Sequence, residues 1–327
     1  MTNRNLKILS YCIKTNKLNW LKLSHIINKN KKSKFRNEKL FNLHKGETTM
    51  PLRCTKPIPH PVKDLAYEPW KLEVKPFQVS PRTYFVAGQS WVGCYLIDTG
   101  EGLVLIDTAI PESMYMLVDS IYRLGYKPED IKKILISHAH FDHCGAAAAM
   151  KALTKAELYI SREDYEFYKA CPEETMVLDP DSHPQMFEAG CFYDDDQPIV
   201  LGNVSIRTML TPGHTIGCTS FFWEERNPVN GEIYQIAMHG GVGANTMNDD
   251  YYKISKYLTP DLRERFFSDE EKLKEIHVDI ALPSHPNQIE IIDRAGQYTH
   301  ESQPYLDDTI WAEFIHERVR QVKALMK

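Results

Sequence analysis

Residues 134–145 read Ile-Leu-Ile-Ser-His-Ala-His-Phe-Asp-His-Cys-Gly. A short apolar run discharges into four side chains able to hold a metal: His138, His140, Asp142 and His143. His138 and His140 stand two apart, so extended backbone aims both the same way. Asp142 and His143 follow where the chain must turn, and can face a neighbouring point from another direction. Imidazole and carboxylate together make a donor set of the zinc type. The helical His-Glu-x-x-His spacing is absent. A polar turn of solvated histidines is the competing reading. It fits poorly with three His and one Asp in six residues directly after an apolar run. Cys144 reads as a small buried residue rather than a ligand.

The elements around this stretch repeat its pattern. His214 lies in Thr211-Pro212-Gly213-His214-Thr215 after a strand at 204–210, and His239 follows a strand at 232–237. His285 lies in Pro283-Ser284-His285-Pro286 after a strand at 278–282. Separate strand ends converging on one crevice are how α/β folds build sites. Further strands are expected at 83–87, 92–98, 103–107, 134–136, 157–160, 199–201 and 220–224. Tight turns are expected at Gly202-Asn203 and Asn230-Gly231. Asp107 closes one strand, either orienting a ligand histidine or capping a turn. Helices are expected at 111–124, where Met114, Leu117, Val118, Ile121 and Leu124 share a face, and at 146–153. Others follow at 162–170 behind a Ser161–Asp164 capping box, at 260–276 and at 305–326. Residues 171–197 read as an acidic loop, with Asp194, Asp195 and Asp196 as a solvated run and His183 on the surface.

Composition bounds what this cluster can serve. The chain has 327 residues, 43% hydrophobic and 25% charged, which is ordinary for a globular protein. No apolar run is long enough to span a bilayer. Seven scattered cysteines without a Cys-x-x-Cys pair favour a reducing compartment, and the expected location is cytoplasmic. Residues 1–49 hold 12 Lys and Arg against 2 Glu, whereas the remainder holds 27 against 42. The acidic body disfavours nucleic acid and leaves a small molecule as the expected partner. The basic segment 1–49 lacks the apolar core and cleavage site of a secretory signal. Lys45-Gly46-Glu47 can be encoded by a bacterial ribosome-binding sequence suitably placed before Met50. We therefore expect translation to start at Met50 and residues 1–49 not to pack; N-terminal sequencing of protein made from the native gene decides it. Residues 50–80 read as an extended proline-rich arm, and 81–327 as one catalytic domain.

The motif His138-x-His140-x-Asp142-His143, with His214 in Thr-Pro-Gly-His-Thr and then His285, resembles the metallo-β-lactamase superfamily over about residues 80–290. Ser-His-Ala-His-Phe-Asp-His is most similar to the third subclass of its class B enzymes. The resemblance implies an αββα sandwich: two mixed β-sheets face to face with helices on both outer faces. It implies two zinc ions, one held by His138, His140 and His214, the other by Asp142, His143 and His285. It implies a zinc-activated hydroxide attacking the carbonyl of a cyclic amide, with Asp142 orienting it and carrying the proton. A cytoplasmic lactonase or other amide or ester hydrolase on the same site is the alternative. Lactonases and thioesterases of the superfamily carry a bridging Asp where this chain has His239. His239 then ligates the second metal, bonds its water, or points away, and Gly240–Gly243 allow close backbone approach to a substrate.

Overall fold

The computed structural model describes residues 68–175 and 185–326. The basic segment 1–49, the start at Met50, the arm up to residue 67 and His183 lie outside these residues.

Short aliphatic and aromatic runs build the first sheet: β1 (Phe77–Gln78), β2 (Thr83–Phe85), β3 (Tyr95–Asp98), β4 (Leu103–Ile106), β5 (Ile131–Leu135), β6 (Glu157–Ile160) and β7 (Cys191–Phe192), side by side in that order. β3 and β4 form the expected hairpin, closed by Gly100 and Gly102 at φ 83° and 132°, which a side chain would strain. From β4 onward the pairing is parallel. Crossovers supply α1 (Met114–Arg123), α2 (Phe141–Cys144) and α3 (Ala147–Thr154), then α4 (Arg162–Ala170) and α5 (Pro172–Thr175). The second sheet holds β8 (Ile199–Leu201), β9 (Val204–Leu210), β10 (Thr219–Arg226), β11 (Ile233–Met238) and β12 (Ile280–Leu282) in the order β12-β11-β10-β9-β8. It is antiparallel except for β11 with β12. The helices α6 (Asp249–Tyr252), α7 (Pro260–Leu273) and α8 (Ile310–Leu325) complete the chain.

Both sheets feed one apolar core, including Leu96, Leu105 and Ile134 from the first and Phe221, Ile236 and Ala281 from the second. Helix α3 packs on β5 and β6, and α8 on β12, giving the αββα sandwich. The fully buried Glu225 of β10 ties the sheets by accepting from Ser80 Oγ, Arg82 N, Thr83 Oγ1 and Trp223 Nε1. No helix among the described residues is long and apolar enough to cross a membrane.

Several boundaries differ from expectation for local reasons. Residues 69–81 are not merely extended: Pro69–Leu72 forms a 3-10 turn and β1 adds an edge strand. β5 begins at Ile131: Lys132 is exposed and Lys133 half-buried, while Ile131, Ile134 and Leu135 are buried. The β10–β11 connection is a six-residue loop, not a tight turn. Asn227 Oδ1 accepts from Val229 N and Asn230 Oδ1 from Glu232 N, giving the loop its own side-chain bonds. Helix α8 starts at Ile310, since Asp307 captures Thr309 N and Oγ1 in a turn.

Candidate metal centre

Strand ends deliver every side chain of the centre. β5 leads to His138 and His140, and α2 carries Asp142 and His143. β9 leads to His214, and β12 to His285. The order is enforced by backbone held at cost: Asp107 and Ala109, after β4, sit at φ 61° and 60°. Non-glycine residues in that region cost on the order of 1–3 kcal/mol each and persist where surrounding contacts over-determine them. Asp107 has such contacts. Its carboxylate accepts from Ser137 N and Ser137 Oγ at 2.7 Å each, and from His143 Nδ1 at 2.7 Å. These bonds reach across to the end of β5 and to α2, and the one to His143 fixes that ring.

Main-chain acceptors fix most of the other rings. His138 Nδ1 donates to Gly240 O at 2.6 Å, and His214 Nδ1 to Gly243 O at 2.8 Å. His285 Nδ1 donates to Trp91 O at 2.7 Å. Carbonyl oxygens only accept, so these three Nδ1 atoms carry protons and the neutral rings present Nε2 lone pairs. His140 is the exception: its Nδ1 faces His214 Nε2 at 2.9 Å.

The donors fall into two abutting groups. Ligand atoms of His138, His140 and His214 lie within 4.8 Å of one another, as do those of His138, Asp142 and His143. His143 Nε2 and His285 Nε2 are 3.2 Å apart, and Asp142 Oδ2 lies 3.6 Å and 3.5 Å from them. Two imidazole nitrogens and a carboxylate oxygen thus converge on one point. Donors about 2.0–2.2 Å from a tetrahedral zinc stand roughly this far apart, so the residues fit the ion. The buried Nε2 of His138, without a hydrogen-bond partner, fits it too.

Burial sets the protonation states. It pushes His138 and His140 well below the ordinary imidazole range, helped by neighbouring histidines, and lowers His214 to about 3. Burial also raises Asp142. For His143 burial acts downward, but the charges of Asp142 and Asp107 outweigh it and the group is raised. In metal-free protein, the unfolded chain therefore binds more protons than the native one between pH 6.5 and about 3 at His214. Stability is expected to fall as pH drops below 6.5, by up to about 1.4 kcal/mol per pH unit for each such histidine. Urea unfolding at stepped pH checks this; a flat profile from pH 7 to 5 would contradict it.

His239 takes the last of its three open placements. Its Nε2 lies 2.7 Å from Glu270 Oε1 and its Nδ1 accepts from Gly241 N, so the ring points away from the centre and ligates nothing there. The glycines after it approach ligand histidines closely: a Cβ on Gly243 would stand 2.4 Å from His214 Cε1.

Sequence reasoning missed Asp164, which looked like no more than a capping residue. It is fully buried on α4 and accepts from Ala139 N, Thr215 Oγ1 and Gly217 N at 2.7 Å each. One carboxylate thus brackets the His138–His140 loop to the His214 loop. Burial pushes its pKa up to about 6 against the pull of those donors. Replacing Asp164 with Ala strands the donors and is expected to cost about 2–5 kcal/mol of stability. Thermal unfolding checks this; a loss below about 1 kcal/mol would remove the bracket role.

The centre opens into a cleft of about 70 Å³ lined by Phe141, Thr175, Gly243 and Asn245 beside His140, Asp142, His214 and His285. Trp91 packs on Phe141 at its edge.

Residues 92–227, which hold five of the six donors, match the family model of the metallo-beta-lactamase superfamily. Over these residues the chain resembles the metallo-β-lactamase superfamily. The superfamily fold extends over most of the chain. BJP-1, a subclass B3 metallo-β-lactamase of Bradyrhizobium japonicum, superposes with a TM-score of 0.69 at 24% identity, over 80% of this chain and 99% of its own. The FEZ-1 metallo-β-lactamase from Legionella gormanii gives 0.68 at 26% identity, over 77% and 95%. Among curated relatives, the N-acyl homoserine lactonase of Bacillus thuringiensis is 29% identical over 163 residues, 41% of this chain. The chain spans 58% of that lactonase's length.

Proposed function

We propose that this protein is a two-zinc hydrolase that opens the carbonyl–nitrogen bond of a β-lactam-like cyclic amide. The reading is carried by the convergence of His143 Nε2, His285 Nε2 and Asp142 Oδ2 within 3.6 Å, beside the His138–His140–His214 group. His138, His140 and His214 would hold one ion, and Asp142, His143 and His285 the other. Zinc bound there supplies a Lewis acid and lowers the pKa of water from ~16 to about 7.

The protein's own groups do the rest. Asp107 keeps the His143 proton on Nδ1, leaving Nε2 to coordinate. Asp142, whose carboxyl burial holds above its ordinary pKa, takes the proton of the attacking water and returns it to the leaving nitrogen. Phe141, backed by the buried Trp91, supplies an apolar wall.

A lactone is the second reading, and the cleft's polar walls favour it. Thr175 and Asn245 are neutral, which suits an ester ring without the carboxylate of a β-lactam. The likeness to an N-acyl homoserine lactonase points the same way. Zinc-loaded protein assayed with a chromogenic cephalosporin, γ-lactones and thioesters separates the two. Chelator-sensitive cephalosporin turnover supports the first; lactone turnover alone replaces it with the second. Pure protein that binds no metal overturns both.

A further inference from the structure

The end of β11 carries a buried hydrogen-bonded His–Glu couple outside the metal cluster. The His239 ring is wholly buried, with centroids of Trp311 and Phe314 at 6.4 and 6.3 Å. Its Nε2 meets Oε1 of Glu270, which is also wholly buried on α7. Glu270 Oε2 has no hydrogen-bond partner. An apolar pair of the same volume is commonly as stable as a buried couple of this kind, or more so. The couple therefore calls for a role besides stability.

Its geometry supplies one. Gly241 N donates to His239 Nδ1 at 3.2 Å, so the ring proton resides on Nε2 and points at Glu270. The ring is thereby a fixed acceptor for the peptide that follows it. That peptide bears the Gly240 carbonyl, which receives His138 Nδ1 at 2.6 Å. Three residues on, the Gly243 carbonyl receives His214 Nδ1. Apart from the buried Val242, the segment is glycine, and side chains on its glycines would not fit. A Cβ on Gly240 would lie 1.9 Å from Thr219 O, and one on Gly241 2.6 Å from Cys218 Sγ. Besides His239, Gly240 N donates to Ser220 Oγ at 3.4 Å, a long contact.

We infer that His239 and Glu270 form a positioning pair: they fix the glycine segment whose carbonyls set the tautomer and aim of His138 and His214. The inference rests on the two-zinc reading and adds residues that touch neither metal nor substrate. Outer partners of this sort typically change metal affinity 10–100-fold.

The test measures zinc affinity by competition with a chromophoric chelator on full-length protein. Two single-site backgrounds are used: His285→Ala, keeping the His138 group, and His140→Ala, keeping the Asp142 group. The double variant His239→Leu/Glu270→Leu replaces the couple with an apolar pair suited to its aromatic surroundings. It is expected to weaken zinc about 10–100-fold in the first background and less than about threefold in the second. His239→Asn, whose Oδ1 stands in for Nδ1 as the Gly241 acceptor, is expected to restore most of the loss. Unchanged affinity in the first background, or equal loss in both with a lowered melting temperature, overturns the positioning role. Failure of the wild-type protein to bind zinc instead overturns the reading beneath it.

Discussion

Replacing Asp142 with Asn is expected to lower kcat by about 10²–10⁴-fold while leaving the metal-free fold at least as stable. The two effects have opposite sign because they draw on different properties of one buried group. Asp142 is 3% exposed, and burial already disfavours its charge. An amide keeps the shape, and its Nδ2 can donate toward the lone pairs of His143 and His285, which the carboxylate meets at 3.6 and 3.5 Å. Without metal, that exchange removes a buried charge and adds a donor where only acceptors converge. Catalysis instead needs a carboxylate that accepts a proton and gives it back, which an amide cannot do. Steady-state kinetics and urea unfolding on the same preparation test both halves. Turnover within threefold of wild type would exclude Asp142 as the proton carrier. Loss of the fold would show that its charge supports structure.

How much of this centre can be read from sequence depends on whether a group's partner is local. His138, His140, Asp142 and His143 stand out because their spacing compresses four donors into one turn, and His214 and His285 because each follows a strand. The structure brings all six together. The αββα sandwich followed from the same residues through the family likeness, and most strands lie within a residue or two of their periodic signal.

The groups that aim these donors leave no such trace. The carbonyls of Gly240, Gly243 and Trp91 are backbone, and any residue has one. Asp164 sits where a capping box already explains an acid, so its long-range bonds to Thr215 and Gly217 are invisible locally. His239 follows the last residue of β11, where strand alternation no longer dictates direction. Its aim is decided by Glu270, 31 residues away on another element. Element edges slipped where short polar side chains, such as Asn227 and Asp307, formed their own turns.

Zinc at a thousandfold excess over its Kd is expected to stabilise the protein by about 4 kcal/mol per site, a rise in melting temperature on the order of 10 °C. The argument begins with the metal-free state. His143 Nε2 and His285 Nε2 face each other at 3.2 Å with their Nδ1 protons committed to Asp107 and Trp91 O. Two lone pairs so close repel unless one ring takes a proton, which at His143 burial opposes and the charges of Asp142 and Asp107 favour. A divalent cation relieves both costs at once, and the unfolded chain, with its donors dispersed, binds it far more weakly. Stabilisation should therefore saturate with zinc, reverse with chelator, and weaken as pH falls below 6.5, where protons compete for the imidazoles. The His285→Ala variant separates this from nonspecific binding: one member of the facing pair is gone, so the zinc-free protein should lose little while about half of the zinc-dependent gain disappears. Equal gains in the variant and the wild type would place the zinc elsewhere, whereas loss of the entire gain would mean that the two donor groups fill as one cooperative unit.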